Sequence, residues 1–147
     1  MKHIGNKDIM RLQKTAFLAS GTMPADEVLK VYDWASAMRS RGECVVSGFS
    51  SKLEQDVLHF LLKGNQPIIM VLARQMYKAV PAALQEAVSQ GRLLIISVSE
   101  AVRQSKATAF ARNRYICQMA DSIYMVGVKA ESSLYPLQNE YNTKLLH

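Results

Sequence analysis

Residues 108–121 carry two arginines and an asparagine in a pattern typical of a single helix. At helical spacing, Arg112 and Asn113 lie with the apolar stripe that faces the protein interior, whereas Arg114 faces solvent. An arginine that faces inward without an acceptor is costly. The pattern therefore predicts either an anion that meets Arg112 or a side chain that extends past the core to water.

Small and hydroxyl-bearing residues follow several apolar runs of the sequence. If these runs are parallel strands, the residues meet at the carboxyl edge of a sheet, where following helix N-termini favour negative charge. They allow a ligand to approach the backbone, and a side chain at Gly48 is expected to obstruct that approach. The edge residues are Ser20, Gly21, Ser47, Gly48, Ser50, Arg74 and Ser97. Together with Arg112, they predict a phosphate-binding edge.

The elements that would position these residues are visible in the hydrophobic pattern. Five continuous apolar runs have the length of strands buried on both faces, at residues 15–20, 44–47, 67–73, 93–97 and 123–126. Helices are predicted between them, over 24–41, from Ser51, from behind Pro81 to before Gly91, and over 108–121. The series predicts an α/β fold with an open, mostly parallel five-stranded sheet and helices on both faces.

The size of the chain indicates one domain. The 147 residues, 49% hydrophobic and 20% charged, are expected to form a core of about 15–134 with short flanks at 1–14 and 135–147. No apolar run is long enough to span a bilayer and the start lacks the apolar centre of a signal peptide, so we expect a cytoplasmic location without a membrane partner. Cys44 and Cys117 match no metal spacing and are expected to be buried free thiols.

The net charge of +6 is unevenly distributed. Residues 57–85 and 101–120 contain no acid, and their basic side chains, with Lys52, are expected to form a surface for an anionic partner. The residues assigned to a nucleic-acid surface are Lys52, Lys78, Arg103 and Lys106. Tyr77, between Arg74 and Lys78, suits either base stacking or half-buried packing.

Signatures of common enzymes do not occur. No GxGxxG follows the first strand, and GxxxxGK[ST], GxSxG and HExxH are missing. The three histidines have no metal partner at helical spacing. Glu54, three residues after Ser51, fits a capping box better than a catalytic role. We expect no metal, no cofactor and no catalytic residue, and enzymatic activity is not favoured.

Four segments of the sequence resemble a known family. VVSGFSSKLEQDVLHFLL, PIIMVLAR, GRLLIIS and above all FARNRYI are similar to the Rossmann-like core of the DprA/Smf family of DNA-processing proteins, over about residues 15–134. The resemblance implies a Rossmann-like fold that binds single-stranded DNA for transfer to a recombinase during transformation. By position, the family's serine-glycine turn is Ser47 and Gly48, and its RNR tripeptide is Arg112, Asn113 and Arg114.

The sequence also departs from the family pattern. A second glycine and an aspartate are expected after the turn, where this chain has Lys52, Leu53 and Glu54. The family's Ser-Gly-Ser-Leu pattern corresponds to ESSL, which adds Ser132 and Ser133 to the implied site. The helical and winged-helix domains of longer relatives do not occur in this sequence. The PGG-x-GT-x-x-E motif of related nucleotide hydrolases is missing.

Two functions from different classes follow. The first is a module that binds single-stranded nucleic acid in DNA uptake or recombination, with a recombinase and a second copy of the chain as partners. The alternative is a sensor or processing enzyme that takes a mononucleotide or a nucleotide derivative in the same pocket. Salt dependence separates them, because a bound strand releases several counterions and a single phosphate releases few.

Overall fold

The protein is described by a computed structural model over residues 1–146, and His147 lies outside the described residues. Within residues 1–146, the strands are β1 Lys2–Gly5, β2 Lys14–Ala19, β3 Cys44–Ser47, β4 Ile68–Leu72, β5 Leu93–Ser97 and β6 Ser122–Val126. The helices of the same region are α1 Ala25–Arg41, α2 Lys52–Leu62, α3 Ala82–Ser89, α4 Lys106–Met119 and α5 Leu134–Glu140. Short 3₁₀ turns occupy Lys7–Arg11 and Asn142–Lys144.

In the described part of the chain, the strands form one six-stranded sheet with the order β1-β5-β4-β3-β2-β6. The five predicted strands are confirmed, and every pairing among them is parallel. The predicted strand number was wrong by one, because β1 pairs antiparallel with β5. The N-terminal flank thus belongs to the sheet. The chain places β3, β4 and β5 successively on one side of β2 and then places β6 on the other side. Open α/β sheets bind ligands at their carboxyl edge at such a switch point, which here lies between β2 and β6.

Helices cover both faces of the sheet, as the continuous apolar strands predicted. Buried residues of α1, α2 and α3 pack on one face, where Phe17 of β2 stacks on Trp34 of α1 with ring centroids 5.2 Å apart. Buried residues of α4 and α5 pack on the other face. The side chains of one strand alternate between these two cores, so Ile69 faces α4 and the neighbouring Ile68 faces α2.

Local signals explain where the helices begin and end. α1 has two acidic residues in its first turn and ends at Gly42, whose φ of 71° is the left-handed conformation that glycine adopts readily. α4 begins at Lys106, two residues before the predicted start, because Ser105 and Thr108 form a reciprocal cap.

The two cysteines have the predicted environment. Cys44 and Cys117 are buried free thiols in the core between the sheet and α4. Among residues 1–146, no helix is long and apolar enough to cross a membrane.

Candidate nucleic-acid interface

The turn between β3 and α2 is buried and tightly constrained. Ser47, Gly48 and Phe49 are all buried. Phe49 has a φ of 48°, an uncommon backbone conformation for a bulky residue, and its N–H donates to Ser47 Oγ at 3.1 Å. Such a conformation costs about 1–3 kcal/mol and persists only where the surroundings impose it. The turn therefore has one defined shape at the carboxyl edge of the sheet.

The carboxylate of Glu54 accepts backbone N–H groups of the β3–α2 turn and of β2. Its Oε1 accepts the N–H groups of Ser50 and Ser51 at 3.0 and 3.2 Å, and its Oε2 accepts the N–H of Ala19 at 3.0 Å. Ser51 Oγ accepts the Glu54 N–H in return, which confirms the predicted capping box. The N-terminus of α2 thus already has an internal carboxylate, and the Ser50 amide is occupied by it.

Arg112 lies inside the protein, as its helical position predicted. Only 2% of the residue is exposed. Its guanidinium donates to Asn113 Oδ1 at 2.8 Å, to Ser50 Oγ at 3.1 Å and to the Val71 carbonyl at 3.3 Å. Burial lowers the pKa of Arg112, and the charge of Glu54 opposes that shift. Contact between Arg112 and a phosphate stays a prediction, and the acceptors seen in the structure are the protein's own.

Gly48 provides the space for this guanidinium. A Cβ at Gly48 would lie against Cζ and Nη1 of Arg112 and 2.7 Å from Nε. A side chain at Gly48 would therefore displace Arg112, and its effect on a ligand stays a prediction. α4, β4 and the β3–α2 turn are therefore locked together by one side chain.

The three residues of the RNR tripeptide have different surroundings. Asn113 is half-buried and accepts the Arg112 Nε–H. Arg114 faces outward as predicted, with a side chain 49% exposed, and its Nη2 lies 2.8 Å from Glu140 Oε1. Glu140 is the last residue of α5. The structure therefore places Arg114 against α5, apart from the buried bonds of Arg112.

The loops after β4 and β5 are joined to each other. We call residues 73–81 and 98–105, with Lys106 at the start of α4, the basic loop pair. Ser97 Oγ is 2.6 Å from the Arg74 carbonyl and 2.9 Å from the Ser99 carbonyl, and the Gln75 N–H donates to the Ala101 carbonyl at 2.7 Å. Buried Ser97 thus holds the two loops side by side.

The basic loop pair carries four cations and one acid, Glu100. The cations are Arg74, Lys78, Arg103 and Lys106. In the part of the chain that the structure describes, none of the four forms a salt bridge. Three of them are exposed, and half-buried Arg74 lies over the Tyr77 ring at 5.7 Å. Tyr77 itself is half-buried against the core, so both roles considered for it are compatible with its position.

One further cation at this edge is not identified by sequence reasoning. Lys2 is exposed and is paired in register with Ser97, so it lies beside the basic loop pair. Lys2 lies there because β1 pairs antiparallel with β5, and the sequence has no apolar run that predicts β1.

The remaining predicted residues form a separate group where β2 and β6 end. Ser20 and Ser132 are joined by a 3.0 Å Oγ–Oγ hydrogen bond. Gly21 and Ser133 are exposed nearby in sequence. Lys52 is exposed on α2 and forms a 2.6 Å ion pair with Asp56. Within residues 1–146, no group of three or more His, Cys, Asp or Glu side chains is arranged to hold a metal ion.

A mostly parallel open sheet with small residues and linked cationic loops at its carboxyl edge defines a Rossmann-like α/β protein. The chain belongs to the DNA recombination-mediator protein A family, whose model matches residues 2–135. A comparison with curated proteins gives no match.

Solved structures with a similar fold include two DNA processing proteins. DNA processing protein A from Helicobacter pylori, described by its single-stranded DNA binding mode, is 19% identical with a TM-score of 0.76 over 97% of this chain and 68% of its own. The protein of the same name (DprA) from Streptococcus pneumoniae is 17% identical with a TM-score of 0.75 over 97% of this chain and 51% of its own. The molybdenum cofactor binding protein from Rippkaea orientalis is 12% identical, with a TM-score of 0.57 over 92% of this chain and 88% of its own.

Proposed function

We propose that the protein binds single-stranded DNA at the carboxyl edge of its sheet, mainly through the basic loop pair. The observation that carries the proposal is that the four cations of the basic loop pair, whose loops are hydrogen-bonded to each other, form no salt bridge within residues 1–146. Such a surface suits a polyanion better than a single phosphate. Family membership supports DNA as the polyanion, as does the fold shared with a Helicobacter pylori protein described as binding single-stranded DNA.

Different residues of the loop pair have different roles in this proposal. Lys78, Arg103 and Lys106 are exposed and neutralise phosphates. Arg74 is held over the ring of Tyr77 and combines a positive charge with a flat surface on which a base stacks. Because stacking needs no particular base, this contact is tolerant of sequence.

The buried residues position this surface. Ser97 ties the loops together, and Arg112 with Gly48 fixes the neighbouring β3–α2 turn. Ser20 and Ser132 join the loops after β2 and β6 in the same way. We include the exposed Gly21, Ser133 and Lys52 in the proposed interface as its border toward β2 and β6. Arg114 is a weaker participant, because Glu140 already neutralises it.

The proposal extends to the protein's partners. A DNA-bound chain of this family hands the strand to a recombinase in the cytoplasm, and a second copy of the chain would double the number of strand contacts. Both partners are implied by the resemblance to the DprA/Smf family.

Salt titration of a fluorescent oligo-dT tests the proposal. If the four cations each neutralise one phosphate, log K should fall with log salt concentration with a slope of about −3, since single strands contribute about −0.7 per contact. A mononucleotide should compete weakly. A slope shallower than about −1, with strong competition by a mononucleotide, would instead support the alternative of a single-phosphate pocket and contradict strand binding.

Two variants locate the interface. Arg103→Ala and Lys106→Ala should each reduce the slope by about 0.7, because each removes one phosphate contact. Arg11→Ala is the matched control, since Arg11 is exposed, forms no salt bridge within residues 1–146 and precedes β2 at the opposite, amino edge of the sheet. If the control changes the slope as much as the loop variants do, the binding surface lies elsewhere.

A further inference from the structure

A cavity lies between α1 and α2, next to the loop that follows β2. Its volume is about 270 Å³. Met23, Val28 and Leu53 are its apolar walls, and Tyr32, Lys52 and Asp56 are its polar end. Binding pockets for small molecules begin at about 300 Å³, so this space suits one flat heterocycle rather than a whole nucleotide. Methionine and aliphatic walls pack well against such rings.

The polar end is a hydrogen-bonded cluster that can form further hydrogen bonds with a ligand. Lys52 Nζ donates to Asp56 Oδ1 at 2.6 Å, and Tyr32 Oη donates to Asp56 Oδ2 at 2.9 Å. The hydrogen bond from Lys52, with a smaller effect from Tyr32, lowers the pKa of Asp56, so the carboxylate is ionised and only accepts. A carboxylate has about four acceptor positions, which leaves one free on each oxygen. The ammonium of Lys52 keeps further N–H donors.

This arrangement is complementary to one edge of one base. The Watson–Crick edge of guanine has the O6 acceptor beside two N–H donors, N1–H and N2–H₂. Adenine and cytosine present an amino group beside an acceptor nitrogen, and thymine presents one N–H between two carbonyls. With these three bases, one oxygen of Asp56 would face another acceptor. Guanine alone satisfies both oxygens of the carboxylate together with the ammonium.

We propose that the cavity takes one unstacked guanine base of a bound strand, whose N1–H and N2–H₂ donate to Asp56 and whose O6 accepts from Lys52. The proposal rests on the proposed function, because the base arrives as part of single-stranded DNA. β2 is three strands from β5 in the sheet, and neighbouring strands are about 4.8 Å apart. A strand that crosses the carboxyl edge therefore passes both the basic loop pair and the cavity.

The test compares oligo-dT with the same oligomer carrying one central dG, dA or dC. The dG oligomer should bind about tenfold more tightly than the other three, as expected for one bidentate base contact. Free dGMP should also compete better than dAMP, dCMP or dTMP. Equal binding of all four oligomers would overturn the guanine proposal while leaving strand binding intact. If none of the four oligomers binds to the protein, both the proposed function and the guanine proposal are overturned.

Asp56→Asn shows whether the carboxylate is responsible. The variant keeps an oxygen that accepts from Tyr32 but replaces the second acceptor with a donor, so the preference for dG should fall to less than about twofold. Asp33→Asn makes the same change on the exposed face of α1 and should keep the preference. Thermal melting shows that both variants are folded. A folded Asp56→Asn variant that still prefers dG would overturn the proposal.

Discussion

Gly48→Ala tests how the turn at the carboxyl edge is held. The φ of Gly48 is not in the left-handed region, so alanine should cause no backbone strain there. The cost is steric, because the new Cβ would occupy the place of the Arg112 guanidinium. The guanidinium has to move, and it cannot move freely, since the residue is 2% exposed.

The magnitude follows from the bonds that the displaced guanidinium loses. Arg112 donates to Ser50 Oγ at 3.1 Å and to the Val71 carbonyl at 3.3 Å. Hydrogen bonds to charged groups contribute about 1.5–3 kcal/mol each, and the longer bond belongs at the lower end. We expect Gly48→Ala to lower the free energy of unfolding by about 3–4 kcal/mol. Arg112→Ala should cost about 3 kcal/mol, because it removes these bonds and empties the buried space that the side chain occupies.

The double variant separates this explanation from a general intolerance of the turn. Without the guanidinium there is room for the Cβ, so the two costs should not add. The coupling free energy should be about 1.5–3 kcal/mol. Urea unfolding of the parent, both single variants and the double variant measures it. Additivity within about 0.5 kcal/mol would refute the argument that Gly48 is required to accommodate Arg112.

Three further predictions concern the core and the outer face of α4. Ile69→Ala and Ile95→Ala should each lower the free energy of unfolding by about 2–5 kcal/mol, because both side chains are fully buried. Urea unfolding measures this, and a cost under about 0.5 kcal/mol for both variants would contradict the prediction. Burial raises the pKa of both Cys44 and Cys117 to about 12. A thiol reagent near neutral pH should therefore modify them only when the protein unfolds, and rapid labelling of the native protein would contradict this. Arg114→Ala should weaken oligo-dT binding less than Arg103→Ala, because Arg114 is ion-paired with the end of α5. An equal or larger loss would place Arg114 in the interface.

The central sheet and its helices follow from local patterns. The strands at Cys44–Ser47 and Leu93–Ser97 match the predicted ranges. β6 differs by one residue at its start, and β2 and β4 differ by one residue at each end. Continuous apolar runs are sufficient here because each of these strands is covered on both faces. The helix ends follow from caps that are visible in the sequence, such as Ser51 with Glu54.

Elements at the borders of the fold lack such patterns. β1 has four residues, and both its first and last residues are exposed. It is a strand because the edge of β5 offers hydrogen bonds, which is a tertiary contact that local propensity does not contain. α5 is also short for a helix, with seven residues. The contribution of Lys2 to the carboxyl edge was therefore not predictable.

The inward position of Arg112 was predictable, but its partners were not. Helical spacing defines which way the residue faces, whereas its acceptors come from Ser50 and Val71, which are 62 and 41 residues distant in sequence. The N-terminus of α2, where the sequence favours an anion, already holds the carboxylate of Glu54. A capping residue and a bound phosphate satisfy the same amides, so a sequence pattern that favours one also favours the other.

The number of basic residues in the sequence overestimates the cations that are available to a ligand, because some of them are paired or buried in the folded protein. Lys52 and Arg114 each have a carboxylate partner, and Arg112 is buried. These pairings become visible only when α2, α4 and α5 are folded. Without these three residues, the carboxyl edge keeps Lys2 and the four cations of the basic loop pair, none of which forms a salt bridge within residues 1–146. The salt dependence of binding should therefore follow substitutions in these two loops more closely than the formal charge of the chain.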